Sequence, residues 1–212
     1  MGDGVSRELR VILPDEDQIE TNKDVFAEDE TETAQDNMIG SSASESPFRG
    51  TFYYPPRVNR EYYNIFVLGG EEFNKPFFKV PMDRALREYM TIDTKKRFSA
   101  FDTEIIEEIK TLPSLFMTEN WAYNKADDAQ LVIYGFVSDL RVYEDYIKIY
   151  YYPLRKDIPQ RILNEFKEEF GLSGFQFNEL NRTHWAIKRR DLIEELSEAG
   201  WPVPINTNRP DC

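Results

Sequence analysis

Two runs of β-branched and aromatic residues around a polar bend constrain this chain more than any other feature. They are Leu131-Val-Ile-Tyr-Gly-Phe-Val137 and Tyr146-Ile-Lys-Ile-Tyr-Tyr-Tyr152, with Tyr143-Glu-Asp145 between them. Side chains of this kind suit a pleated, half-buried surface, so the pattern predicts an antiparallel hairpin. In the second run Lys148 sits between Ile147 and Ile149. A period of two then puts Ile147, Ile149 and Tyr151 on one face and Tyr146, Lys148 and Tyr150 on the other.

The hairpin leads into a stretch with the marks of an amphipathic helix. Asp157 is placed to cap it, Gln160 follows three residues on as in a capping box, and Pro159 falls in the first turn, where no amide partner is lost. Ile158, Ile162, Leu163, Phe166 and Phe170 recur at helical spacing, and Gly171 suits a left-handed terminus. Burying each of those five side chains is worth roughly 1.5–3 kcal/mol before entropy is subtracted. Such a helix needs a surface to pack on, and the hairpin is the nearest.

Elsewhere the spacing predicts a strand over 62–68, a turn at Gly69-Gly70 and a second strand over 76–80. A short helix over 82–90 follows from Met82, Leu86 and Tyr89, and another over 102–110 from Asp102 as cap with Ile105, Ile106 and Ile109 inward. An apolar run resumes at 113–117, residues 175–177 and 185–188 read as extended, and 191–199 as a last helix closed by Gly200. Strands and helices do not alternate as parallel-sheet units would. The expected fold is therefore α+β: a mostly antiparallel sheet of hairpins with three to four packed helices, as a single domain over 48–212.

Charge separates that domain from what precedes it. Residues 1–47 hold thirteen acidic and three basic side chains, a net of −10 out of the chain's −13, which leaves −3 for the rest. Residues 15–47 are poor in aromatics and rich in Glu, Asp, Ser and Thr, a composition that cannot offset chain entropy by burial. A flexible acidic segment is expected, with 7–13 as a short strand or docking piece. An acidic tail on a near-neutral body gives no footprint for direct contact with nucleic acid, which needs clustered Lys and Arg. The uncharged run 129–138 is about half of what a bilayer requires, so no membrane contact is expected. A charged beginning without a secretory pattern, and a single cysteine, Cys212, fit a cytoplasmic setting.

Asn181-Arg-Thr-His-Trp185 is the most chemically loaded run and holds the only histidine. Arg182 can grip a carboxylate or phosphate, His184 titrates near neutrality, Trp185 can stack on a ring, and Glu179 can orient the imidazole; together they would make a small-ligand site. The same residues also fit a structural role, with Asn181 and Thr183 satisfying backbone groups, His184 bonding locally and Trp185 filling core between the hairpin and the last helix. No triad, metal array or phosphate loop can be assembled, so neither catalytic residues nor a cofactor are expected. Glu165 and Lys167, two apart on a helix, cannot converge on a magnesium ion. The Gly2/Ser6 myristoylation pattern and the sequon at Asn181 are short enough to arise by chance.

The succession of capped helix, Leu112-Pro-Ser-Leu-Phe116, hairpin, second capped helix and Glu179-Leu-Asn-Arg-Thr-His-Trp-Ala-Ile-Lys188, with Asp191-Leu192 after it, resembles a segment of uncharacterised bacterial proteins, some found near defence-type effector domains. The resemblance spans 103–196, with Asn-Arg-Thr-His-Trp its most specific piece. It implies a bacterial or phage context and assigns no activity. The expectation is a non-enzymatic protein-interaction or sensing module with a protein partner. The alternatives are a binder of a small or nucleotide-derived ligand at Arg182, His184 and Trp185, and an acidic inhibitor that mimics nucleic acid.

Overall fold

Among the described residues the apolar runs form six strands: β1 (Tyr63–Val67), β2 (Phe77–Pro81), β3 (Pro113–Met117), β4 (Leu131–Val142), β5 (Tyr146–Pro159) and β6 (His184–Lys188). Four α-helices accompany them, α1 (Ile92–Phe98), α2 (Thr103–Thr111), α3 (Arg161–Glu165) and α4 (Leu192–Glu198). The structure, a computed structural model, describes residues 57–172 and 178–204 together with Pro55. The expected acidic segment, the piece at 7–13 and the extended piece at 175–177 lie outside the described residues.

The strands make one sheet in the order β2-β5-β4-β3-β1-β6. All neighbours are antiparallel except β1 and β3, which run parallel with Asn64 beside Ser114 and Phe66 beside Phe116. The chain is thus α+β with a mixed sheet. Gly69-Gly70 does not close a hairpin: β2 lies at the far edge, and α1 and α2 follow before the chain returns in β3 beside β1.

Every residue of β1, β3 and β6 is buried, so both faces of this part of the sheet are covered. One face carries Phe66, Phe116, Trp185 and Ile187 against Phe98 of α1 and Ile109 of α2. The other carries Ile65, Leu115, Tyr134 and Ala186 against Ile162 and Leu163 of α3 and Leu192, Ile193 and Leu196 of α4. Asn64 locks the register within the first layer. Its amide donates to Ser114 Oγ (3.1 Å) and to the Ile109 carbonyl (3.3 Å), and its oxygen accepts from Trp185 Nε1 (3.1 Å). A buried polar network satisfied in this way favours one strand alignment over its neighbours.

Asp102 caps α2 as its position predicts, accepting from the Ile105 amide, and Asp191, read as the first residue of the last helix, caps α4 by accepting from the amides of Ile193 and Glu194. The helix expected from Asp157 is different. β5 continues to Pro159, where Pro159 pairs with Leu131, and only Arg161–Glu165 is helical. Asp157 pairs with Arg155 (2.7 Å) and the buried Gln160 side chain donates to the Thr118 carbonyl instead of capping. The periodicity is met all the same: Ile158 enters the core from a strand, Ile162, Leu163 and Phe170 from the helix and the turns after it, and Phe166 is left exposed.

The helix expected over 82–90 reduces to one 3-10 turn, Met82–Arg84. Ala85 then bridges to Trp185 and the Leu86 amide donates to the Trp185 carbonyl (2.9 Å), which covers the open edge of β6. The left-handed backbone at Leu86 and Tyr89 turns the chain away again.

Gly135 marks the tightest point of the long β4/β5 hairpin, where the register shifts between Tyr134 and Gly135. A Cβ there would overlap the Tyr152 carbonyl oxygen, which belongs to rigid backbone. Gly135→Ala should therefore destabilise the fold by about 3 kcal/mol or more. Urea denaturation measures it, and a loss of well under 1 kcal/mol would contradict the close approach.

Candidate functional site

The run singled out by its chemistry begins where Asn178 starts a single 3-10 turn, Glu179–Asn181, and ends in β6. Asn178 accepts from the Leu180 amide (3.0 Å) and so sets the direction of the turn. Alternation along β6 then decides where each side chain goes. His184 and Lys188 share the face of Ala186, and Trp185 points the other way.

Glu179, His184 and Lys188 meet beneath the surface. Lys188 Nζ donates to Glu179 Oε2 (2.7 Å) and to the Tyr89 carbonyl (2.6 Å). His184 Nε2 lies 3.7 Å from Glu179 Oε1, Nδ1 lies 2.8 Å from the Arg182 carbonyl oxygen, and the ring packs edge-on to Tyr89. A carbonyl only accepts, so Nδ1 carries a proton. Burial acts to raise the Glu179 carboxyl, but the His184 ring and the Lys188 charge outweigh it and hold the group below the usual carboxylate range. For Lys188 burial outweighs the pull of Glu179 and lowers the ammonium below its ordinary value.

The cluster lies in the interior. Glu179 and His184 are fully buried and Lys188 nearly so, and neither ring nitrogen faces a nucleophile. A cleft of about 300 Å³ lined by Tyr89, Met90, Thr91 and Arg190 reaches Lys188 but not His184. Among the described residues no group of His, Cys, Asp or Glu side chains could hold a metal ion. No helix there is long and apolar enough to cross a membrane.

The four residues chosen from sequence therefore do not form one site. Glu179 and His184 come together. Arg182 lies on the outside, its Nη2 3.2 Å from Glu88 Oε1. Trp185 is buried on the opposite face, stacked on Phe66 and near Phe101, and so fills core over β1 and α1 and not between the hairpin and α4. Lys188 was missing from that set, although its place four residues after His184 on an extended run already puts both on one face.

A second, larger polar assembly lies at the end of the sheet where β3 passes to β4. Asn181 clasps a tight turn between those strands: its oxygen accepts from the Asn124 amide (3.0 Å) and its Nδ2 donates to the Ala122 carbonyl (2.9 Å). Gln130 spans the loop from below. Its oxygen accepts from the amides of Trp121 (2.9 Å) and Asp127 (2.8 Å), and its nitrogen donates to Thr118 Oγ1 (2.9 Å) and the Glu119 carbonyl (2.6 Å). Asn120, Gln160, Asn164 and Asn178 continue the network inward at 2.6–3.2 Å. Thr183 closes it, donating to Glu119 (2.6 Å) and accepting from the Gly69 amide (2.8 Å).

On this frame two aromatic side chains face water, Trp121 at 74% exposure and Tyr123 at 51%. Sequence reading missed both, together with Asn120 and Gln130, because the amides that hold the loop come from positions up to sixty residues away. The chain matches no protein-family model, and neither a curated protein nor a solved structure shows significant similarity to it.

Lys188→Met should cost about 3–5 kcal/mol, because it leaves the buried Glu179 charge without its ammonium partner; the double variant Glu179→Leu/Lys188→Met should recover most of it. The sign of the pH effect follows from the lowered Glu179 carboxyl. The unfolded chain takes up that proton first as pH falls, so this part of the stability is complete above the ordinary carboxylate pKa and is lost as pH drops through the folded value. Urea denaturation from about pH 6 to about pH 3 should show a shallower fall in the double variant than in the parent protein. Equal slopes would contradict the assignment.

Proposed function

We propose that this protein is a non-enzymatic protein-interaction module, and that the loop over 118–130 is its docking element. The observation that carries the reading is Trp121: a large aromatic side chain held out in water on a backbone whose neighbouring amides are bonded to Gln130 and to the Leu180 carbonyl. Exposing an indole is unfavourable in isolation, and Trp and Tyr on a fixed backbone are the usual anchors of protein interfaces. Ordering such a loop in advance lowers the entropy lost on binding. Leu131, exposed next to Gln130, extends the apolar surface at the foot of the loop.

The setting we propose is bacterial or phage, from the resemblance over 103–196, in the cytoplasm and with a role in defence. The small-ligand alternative asks Arg182, His184 and Trp185 to converge; His184 and Trp185 are buried on opposite faces of β6, and Arg182, before the strand, reaches outward to Glu88.

Tagged protein recovered from its host should bring down a stoichiometric partner, and Trp121→Ala should lose that partner by at least tenfold while its melting temperature stays within a degree or two of the parent's. Asn181→Ala should weaken the same capture with Trp121 still present, because the turn loses both of its clasps. A partner retained by both variants would overturn the assignment of the loop, and a small molecule released on denaturation in place of a protein would overturn the module reading.

A further inference from the structure

The outer face of the hairpin carries a pattern that no requirement of the fold explains. Lys148 on β5 lies directly opposite Lys79 on β2 and directly opposite Arg141 on β4, so three cations stand in one rung across three adjacent strands. Like charges placed opposite each other destabilise a sheet. A lysine on the edge strand alone would serve to discourage edge pairing, but Lys148 is on an interior strand and Arg141 lies beyond it.

Aromatic rungs flank the cations. On one side Phe77 faces Tyr150, with ring centroids 5.7 Å apart; on the other Tyr146 stacks on Tyr143 at 4.8 Å. Lys79 Nζ sits 4.1 Å from the centre of the Tyr146 ring and Lys148 Nζ 3.7 Å from that of Phe77, contacts that hold the repelling cations in place. Lys79, Arg141 and Tyr143 are exposed and the other rings half-buried, whereas the reverse-facing Phe78, Val80, Ile147 and Ile149 are core. Asp139 pairs with Arg141 at 3.3 Å, so the cations attract an anion only as a group and the rings must add to the affinity.

We propose that this open sheet face binds single-stranded nucleic acid. Phosphates of the backbone lie along the rung of Lys79, Lys148 and Arg141, and bases stack on Phe77 and Tyr150 on one side and on the exposed Tyr143 on the other. Rungs on one face repeat about every 6.6–6.8 Å along a β-strand, which sets an aromatic rung beside the cation rung on each side, within reach of bases whose phosphates lie on the cations. A purely acidic peptide would satisfy the cations but offers no rings to stack on the two aromatic rungs. The expectation of no contact with nucleic acid rested on totals along the chain. Residues 79, 141 and 148 are far apart there and become neighbours only through the β2-β5-β4 pairing.

Fluorescence polarisation of the full chain with labelled oligo(dT) and oligo(rU) of about twelve nucleotides tests the proposal, with labelled polyglutamate of equal length as the competing chemistry. Three phosphate contacts predict a loss of affinity of about 20-fold between about 50 and 200 mM salt. Lys148→Glu should abolish binding while melting no lower than the parent, since it replaces two like-charge pairs by opposite ones, and Tyr150→Ala should weaken binding about tenfold. Comparison of the two oligonucleotides separates DNA from RNA. No binding of either at low salt, binding unchanged in both variants, or polyglutamate bound as tightly and through the same residues would each overturn the proposal.

Discussion

Successive side chains of a strand point to opposite faces, and in β1, β3 and β6 both faces are buried. That constraint governs the rest of the molecule. It requires a helical layer on each side, α1 and α2 on one and α3 and α4 on the other. It also distributes the most reactive run of the sequence, sending Trp185 into one core and His184 with Lys188 toward the other. What reads along the chain as a cluster of functional groups is divided by the pleat into an aromatic core element and an ion-pair support.

The polar groups left at the ends of these doubly covered strands still need partners, since a buried amide without one costs about 1–3 kcal/mol. Asn120, Gln160 and Asn178 are buried and Asn164, Gln130 and Asn181 partly so, and their amides answer one another and the backbone of the loop over 118–130. Satisfying the sheet's end and fixing that loop are thus one structural event. The ordered display of Trp121 and Tyr123 follows from it. At the other end of the sheet β4 runs past β3, and on the outer face of β2, β5 and β4 polar and aromatic side chains alternate in the open.

Much of this was legible in the residues. The half-buried hairpin, the cap at Asp102, the turn glycine at Gly171 and the α+β class follow from local chemistry and period. The helix expected from Asp157 failed for a physical reason: Ile158 fits the same core from a strand, and Gln160 gains more from Thr118 and Asn120 than from a cap. The parallel pairing of β1 with β3, the clasp of Asn181 on the turn at Ala122 and the cation rung of Lys79, Lys148 and Arg141 all join distant positions. No local pattern encodes them. Glu179 and His184 meet as the sequence suggests, whereas Arg182 and Trp185, apt in chemistry and near along the chain, are turned away from them by the backbone.

Docking through Trp121 requires the loop over 118–130 to be ordered before any partner arrives. Hydrogen exchange resolved to single amides tests this most directly. The amides of Trp121, Asn124 and Asp127, bonded to Gln130 and Asn181 side chains and not to a strand, should exchange nearly as slowly as those of β4. Exchange at the rate of an unstructured peptide would mean that the amide frame does not hold the loop, and would contradict the docking element built on it.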